Sequence, residues 1–160
     1  MNAIISSCGT YRYLLTRHIP CPLRWVKPCL FIMLNPSTAD DKVDDPTIRK
    51  CMEFAKRHAC TQLRVVNLFA LRATNPKELE KHPDPIGPDN DKHIEEEIIT
   101  SYNSSGVIIC AWGNNKFAQV RANEVLKYGT DMGWKCLGKN KNGSPKHPLY
   151  IPYEKTLELL

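Results

Sequence analysis

At 160 residues, 42% of them hydrophobic and 24% charged, the chain has the length and composition of one globular α/β domain over residues 1–160, large enough to bury about two thirds of its unfolded surface. No run approaches the roughly 18 apolar residues of a membrane span. Residues 1–10 also lack the basic start and long apolar core of a secretory signal, so a cytoplasmic location is expected. The net charge of +5 permits an anionic partner, and seven scattered cysteines without a C-x-x-C pair point to reduced packing residues instead of disulfides or a zinc site.

In chain order, Tyr11-Arg12-Tyr13-Leu14-Leu15-Thr16-Arg17 and Leu23-Arg24-Trp25-Val26 flank a Pro-rigid turn, which predicts an N-terminal hairpin at a sheet edge. Residues 29–34 form an unbroken apolar run that stops at Asn35-Pro36-Ser37-Thr38, the pattern of a buried strand whose carboxyl end opens into a polar loop. Asp45-Pro46 then supplies an N-cap acid and a proline at the first helical position, and Ile48, Cys51, Met52, Ala55 and Ala59 recur at helical spacing. Val65-Val66-Asn67-Leu68-Phe69 is the next predicted strand, with an amide inside an apolar run.

Residues 72–91 are dense in Pro, Asp and Asn, which predicts an ordered irregular connection with a helical turn near Pro76. Ile94, Ile98 and Tyr102 mark a helix started by Pro88-Asp89-Asn90-Asp91 and broken by Gly106. A strand over 107–111 runs into Trp112-Gly113-Asn114, followed by a helix over 115–128 capped by Asn114, a short strand over 134–137, a loop carrying His147, and a final helix over 154–160. Alternation of strands and helices predicts a three-layer sandwich with a central, mainly parallel four-stranded sheet plus the N-terminal hairpin.

Neither G-x-G-x-x-G nor G-x-x-x-x-G-K-[ST] occurs, so the strongest sequence arguments for a dinucleotide or nucleotide-phosphate cradle are missing. What carries chemistry is a set of polar residues at predicted strand tips, where open α/β sheets bind ligands. Asn67 in an apolar strand needs partners, since an unpaired buried amide costs about 1–3 kcal/mol. It either bonds neighbouring loops or reads a ligand edge offering both a donor and an acceptor, such as a nucleobase. His147 stands between Pro145 and Pro148, which aim its ring; Lys139, Lys141 and Lys146 around it are either a solvated loop or phosphate contacts.

The blocks Met33-Leu34-Asn35-Pro36-Ser37-Thr38-Ala39-Asp40, Asp44-Asp45-Pro46-Thr47-Ile48-Arg49, Asn67-Leu68-Phe69-Ala70-Leu71-Arg72-Ala73-Thr74 and Asp84-Pro85-Ile86-Gly87-Pro88-Asp89-Asn90-Asp91 are similar to the prokaryotic and phage family called domain of unknown function 1643. More distantly, the order of strand-tip Asn-Pro, base-reading Asn and late His-Pro loop resembles the uracil-DNA glycosylase superfamily. That resemblance implies a glycosylase-like fold and an N-glycosylase that hydrolyses the bond to a base, modified or not, in DNA, without cofactor or metal.

On this resemblance Asn35 positions the water, Pro36 and Ser37 line the ligand, Asn67 reads the base edge, and His147 holds a base carbonyl oxygen. Phe69 or Trp112 supplies a stacking face or belongs to the core, and Leu149 or Tyr150 wedges into the stack vacated by a flipped base. Met33 stands where the superfamily has glycine, and an amide at position 35 orients a water without taking its proton. Two other functions stay open: a non-catalytic nucleotide- or nucleic-acid-binding module, and a hydrolase or transferase for free nucleosides or nucleotides, with Asp40, Asp41, Asp44 and Asp45 holding Mg²⁺.

Overall fold

The computed structural model describes residues 2–37, 43–130 and 132–160. Seven strands form one mixed sheet: β1 (Asn2–Ile5), β2 (Arg12–His18), β3 (Pro28–Met33), β4 (Gln62–Asn67), β5 (Val107–Cys110), β6 (Lys135–Cys136) and β7 (Glu158–Leu159). Their spatial order is β1-β2-β4-β3-β5-β6-β7. The neighbours β4, β3, β5 and β6 run parallel, while β1, β2 and β7 join antiparallel at the two sides. Three α-helices, α1 (Pro46–Arg57), α2 (Asn90–Asn103) and α3 (Ala118–Leu126), cover the faces.

The apolar run predicted as a buried strand is β3, and all six of its residues are buried. A strand covered on both faces has no polar side to show, which is why its sequence does not alternate. Cys29, Phe31 and Met33 pack with Ile48, Cys51 and Phe54 of α1, whereas Leu30 and Ile32 pack with Ile94 and Ile98 of α2 and Ala122 and Val125 of α3. Two apolar layers thus clamp one strand, and polar groups are left at its ends.

Several local signals resolve as the residues dictate. The Asp45 carboxylate accepts the Ile48 N–H at 2.8 Å, and Pro46 opens α1. Asn75 and Glu78 form a reciprocal cap on a single turn over Pro76–Glu78. All seven cysteines are free, and five of them (Cys29, Cys51, Cys60, Cys110, Cys136) are buried. Burial pushes the Cys51 and Cys110 thiols up, so they behave as packing residues. No helix among the described residues is long and apolar enough to cross a membrane.

Four expectations are corrected. The sheet has seven strands, not four plus a hairpin. The N-terminal hairpin pairs Asn2–Ile5 with Arg12–His18, and residues 23–26 form no strand. Prolines at 20, 22 and 28 interrupt the backbone donors a ladder needs, and Trp25 and Val26 are each 62% exposed. Helix α3 starts at Ala118, after Asn115 rather than Asn114 accepts the Phe117 N–H at 2.8 Å. The expected C-terminal helix is an extended segment: Leu157 packs on the α1 side and Leu160 on the other, a split that residues three apart make in a strand and not on one helix face.

Because the Asp45 carboxylate satisfies an otherwise orphaned N–H of α1, Asp45→Ala is expected to cost about 1 kcal/mol. Thermal unfolding followed by circular dichroism checks this as a drop of about 2–4 °C in Tm.

Candidate functional site

The carboxyl ends of the parallel strands share one edge, and the backbone continues pairing beyond them. Met33 sits beside Asn67 in the parallel register. Past that point Leu68 N–H donates to Met33 O at 2.8 Å, Phe69 N–H to Leu34 O at 3.0 Å, and Ala73 N–H to Pro36 O at 3.0 Å. The loop from Asn35 to Ser37 is therefore stitched to the chain that follows β4.

Asn35 belongs to that seam. Its Nδ2 donates to Ala73 O at 2.7 Å and to Pro36 O at 3.0 Å. Two carbonyl oxygens on one side of the amide fix its orientation, since an oxygen there would be repelled, and Oδ1 remains as its acceptor. Pro36 is buried, while Asn35 and Ser37 are half-buried.

Asn67 ends β4 with only 1% of its surface exposed. Alternation places its side chain on the face of Leu63 and Val65, which pack with α1. Its backbone oxygen is held from the other side by Asn90 Nδ2 at 3.0 Å, which also reaches Leu68 O at 3.2 Å; Arg121 Nε donates to the same Leu68 O at 3.0 Å. The side-chain Nδ2, by contrast, is buried and meets no acceptor among the described residues. An amide so placed costs about 1–3 kcal/mol until something accepts from it.

His147 reaches the same edge from the late loop. Gly113, just beyond β5, has φ +79°, and a Cβ built there lies 3.5 Å from His147 Cβ, so the two backbones approach closely. The loop is pinned: Asn140 Nδ2 donates to Ser144 O at 3.1 Å, and Asn142 Nδ2 donates to Asn114 Oδ1 at 2.7 Å. His147 Nδ1 accepts the Leu149 N–H at 3.4 Å, capping the turn over Pro148–Tyr150. With Nδ1 as acceptor, the neutral ring carries its proton on Nε2. Burial pushes the imidazole below its ordinary value, against the opposing pull of the Asp45 carboxylate. A cleft of about 300 Å³ opens beside it, with Asn114, Asn140, Lys146 and Tyr150 on its walls.

Neither Asn35 nor Asn67 lines this cleft, and the remaining expected residues fall elsewhere. Phe69 is 3% exposed and stacks on Phe117 at 5.1 Å between ring centroids; Trp112 is 4% exposed. Both belong to the core on the α2 and α3 side, across the sheet from the Asn67 side chain. Lys139, Lys141 and Lys146 are exposed on the hairpin closed by the Lys139–Pro145 bridge. Glu158 answers part of that charge. A 2.7 Å hydrogen bond from Lys155, joined by the charges of Lys155, Lys139 and Lys146, holds its carboxyl below the usual range.

Among the described residues no group of three or more His, Cys, Asp or Glu is placed to hold a metal ion. Asp44 is paired with Arg17 at 2.6 Å, and Asp45 caps α1; Asp40 and Asp41 lie outside the described residues. Asn90, Asn114 and Asn140 were not singled out as site residues from the sequence. The clustering of asparagine in Asn114-Asn115 and Asn140-Lys141-Asn142, flanking the Gly113 and His147 positions, was the available signal.

The sequence model described as "Protein of unknown function (DUF1643)" matches residues 12–149. No curated protein and no solved structure matches the chain. With most of its length covered, from the first residue of β2 to the loop that carries His147, the chain belongs to the DUF1643 family of proteins of unknown function.

Proposed function

We propose that this protein is an N-glycosylase that hydrolyses the bond between a base and its sugar in DNA, built on a glycosylase-like arrangement of the four parallel strands. The observation that carries the reading is the buried Asn67 Nδ2 without an acceptor among the described residues, at the strand edge where α/β sheets bind ligands. A base carbonyl presented to it would complete the hydrogen bond and set selectivity.

The chemistry follows from the three side chains. As the C1′–N bond breaks, its electron pair goes to the base and positive charge develops on the sugar. His147 Nε2–H donates to the base oxygen on which the negative charge accumulates. Asn35 Oδ1 accepts one hydrogen of a water and aims its lone pair at C1′. The water oxygen bonds to C1′ and its proton is released to solvent, with the departing base taking up a proton in turn. An amide serves here because an oxocarbenium-like carbon needs an oriented nucleophile more than a deprotonated one. Tyr150, 85% exposed at the cleft rim, is the residue placed to fill a gap left by a flipped base.

A second reading, a binding module without chemistry, is favoured by the amide at position 35, which accepts no proton. The two separate on one assay: oligonucleotides carrying deaminated, damaged and modified bases are incubated with the protein and treated with alkali. The glycosylase reading predicts strand cleavage at one base and a loss of about 100- to 1000-fold in rate for His147→Ala, the cost of one donor at a developing negative charge. Salt-sensitive binding without any base release would establish the binding module instead.

Asn67→Leu is expected to abolish base release while leaving Tm unchanged or higher, because it removes an uncompensated amide instead of a native bond. Differential scanning calorimetry alongside the cleavage assay reads both effects.

The histidine sets a pH dependence with a defined sign. Its folded pKa lies below the ordinary value near 6.5, so the unfolded chain binds the extra proton first. Stability tied to His147 is present above about pH 6.5 and is lost as pH falls through the lower folded value. Protonation of Nδ1 also ends its acceptance from Leu149. Base release and Tm are both expected to hold between pH 7 and 8 and to decline on acidification, with a smaller decline in the Tm of His147→Gln.

A further inference from the structure

A second cleft, of about 400 Å³, lies next to the Asn35 loop, with Gly9, Thr10, Ser37, Arg72, Thr74 and Glu78 among its walls. Its frame is rigid. Arg72 N–H donates to Thr10 O at 3.0 Å, Tyr11 bridges Leu71, Ala73 N–H donates to Pro36 O at 3.0 Å, and Ala73 O accepts from Asn35 Nδ2. Residues 71–73 are thus a rung between the turn before β2 and the loop that presents Asn35.

Arg17, Arg57, Arg64 and Arg121 each pair with a carboxylate, but none of the ion pairs among the described residues involves Arg72. Among the described residues the guanidinium makes one hydrogen bond, Nη1 to Gly9 O at 3.3 Å, which steadies one arm of the fork and leaves Nε and Nη2 as donors. Three hydroxyls, from Thr10, Ser37 and Thr74, share the cleft. The opposing charge is Glu78, whose Oε1 is drawn back to the Asn75 N–H at 3.3 Å in the cap of the turn over Pro76–Glu78.

We propose that this cleft is a phosphate site, so that the substrate is a nucleotide unit carrying its phosphate and not a free nucleoside. A planar guanidinium fork with hydroxyl donors around it matches tetrahedral phosphate oxygens, and arginine binds them in pairs where lysine binds as a point charge. Ser37 connects the two sites, since it lines this cleft two residues after Asn35. One nucleotide then spans the edge, with its phosphate on Arg72 and its sugar against the Asn35 loop. This inference rests on the proposed reaction for the identity of the ligand, but its test does not need turnover.

The probes are inorganic phosphate, a short single-stranded oligonucleotide, the matching mononucleotide and the matching nucleoside. Titration of the wild-type protein with inorganic phosphate, followed through the Arg72 Nε–H resonance, is expected to shift that signal. Arg72→Ala should weaken oligonucleotide binding by about ten- to a hundredfold, the range of one hydrogen-bonded charge contact, and reduce the salt slope by about one. Arg72→Lys should keep the slope but recover only part of the affinity, and Glu78→Gln should tighten binding. Preference for the oligonucleotide over the mononucleotide assigns the phosphate to a strand, and the reverse assigns it to a free nucleotide; either outcome supports the site. An unmoved Arg72 resonance together with unchanged affinity in Arg72→Ala overturns it. So does a nucleoside bound as tightly as its nucleotide. A strong Arg72 effect with no base released from any substrate leaves the phosphate site standing and removes the glycosylase reading alone.

Discussion

The hydrogen-bonded seam between residues 33–36 and 68–73 is the constraint on which the site depends. Parallel strands β3 and β4 place Met33 beside Asn67, and the pairing does not stop where the strands do: Leu68, Phe69 and Ala73 continue to donate to Met33, Leu34 and Pro36. Loop backbone is therefore held with the precision of sheet backbone. That allows the Asn35 amide to be fixed by two carbonyls, and Ser37 and Arg72 to line one cleft. A binding constellation tolerates little displacement, and rigid elements supply that tolerance better than free loops.

Burial acts in opposite senses on the two amides. Asn35 is half-buried and spends its donor on protein carbonyls, which fixes the amide plane. Asn67 is buried and keeps its donor unspent, while its own backbone is clamped by Asn90 and Leu68 is clamped by Asn90 and Arg121 from the far side of the sheet. The structure thus carries a local penalty at Asn67, as it does at Asn90 Oδ1, Ser101 Oγ and Trp134 Nε1, that packing elsewhere offsets. His147 shows the same logic. Burial disfavours its charged form, and the Leu149 N–H on Nδ1 decides which nitrogen of the neutral ring is free to donate.

Much of the frame was legible in the sequence because it rests on short-range chemistry. The apolar run of β3, the Asp45-Pro46 start of α1 and the Asn75 cap each depend on residues within a few positions of one another. The misread elements depend on distant partners. Residues 2–5 form a strand because β2 offers them an edge, and residues 158–159 do so because β6 does. For the site, Asn35, Asn67 and His147 could be placed at one edge from the strand-tip pattern, but the face of each side chain could not. Trp112 and Phe69 entered the α2 and α3 core through the alternation of β5 and through Phe117, contacts that no local pattern announces. Asp44 likewise turned out to serve Arg17.

The central claim is that the buried Asn67 amide is waiting for an acceptor on a base. Its Nδ2 protons can be followed directly by side-chain amide NMR while the protein is titrated with oligonucleotides carrying different bases. The account predicts that one base moves both Asn67 resonances and slows their exchange with water, and that the shift is lost in His147→Ala. Asn67 resonances indifferent to every base, in a protein whose other signals respond to the same oligonucleotides, would contradict it.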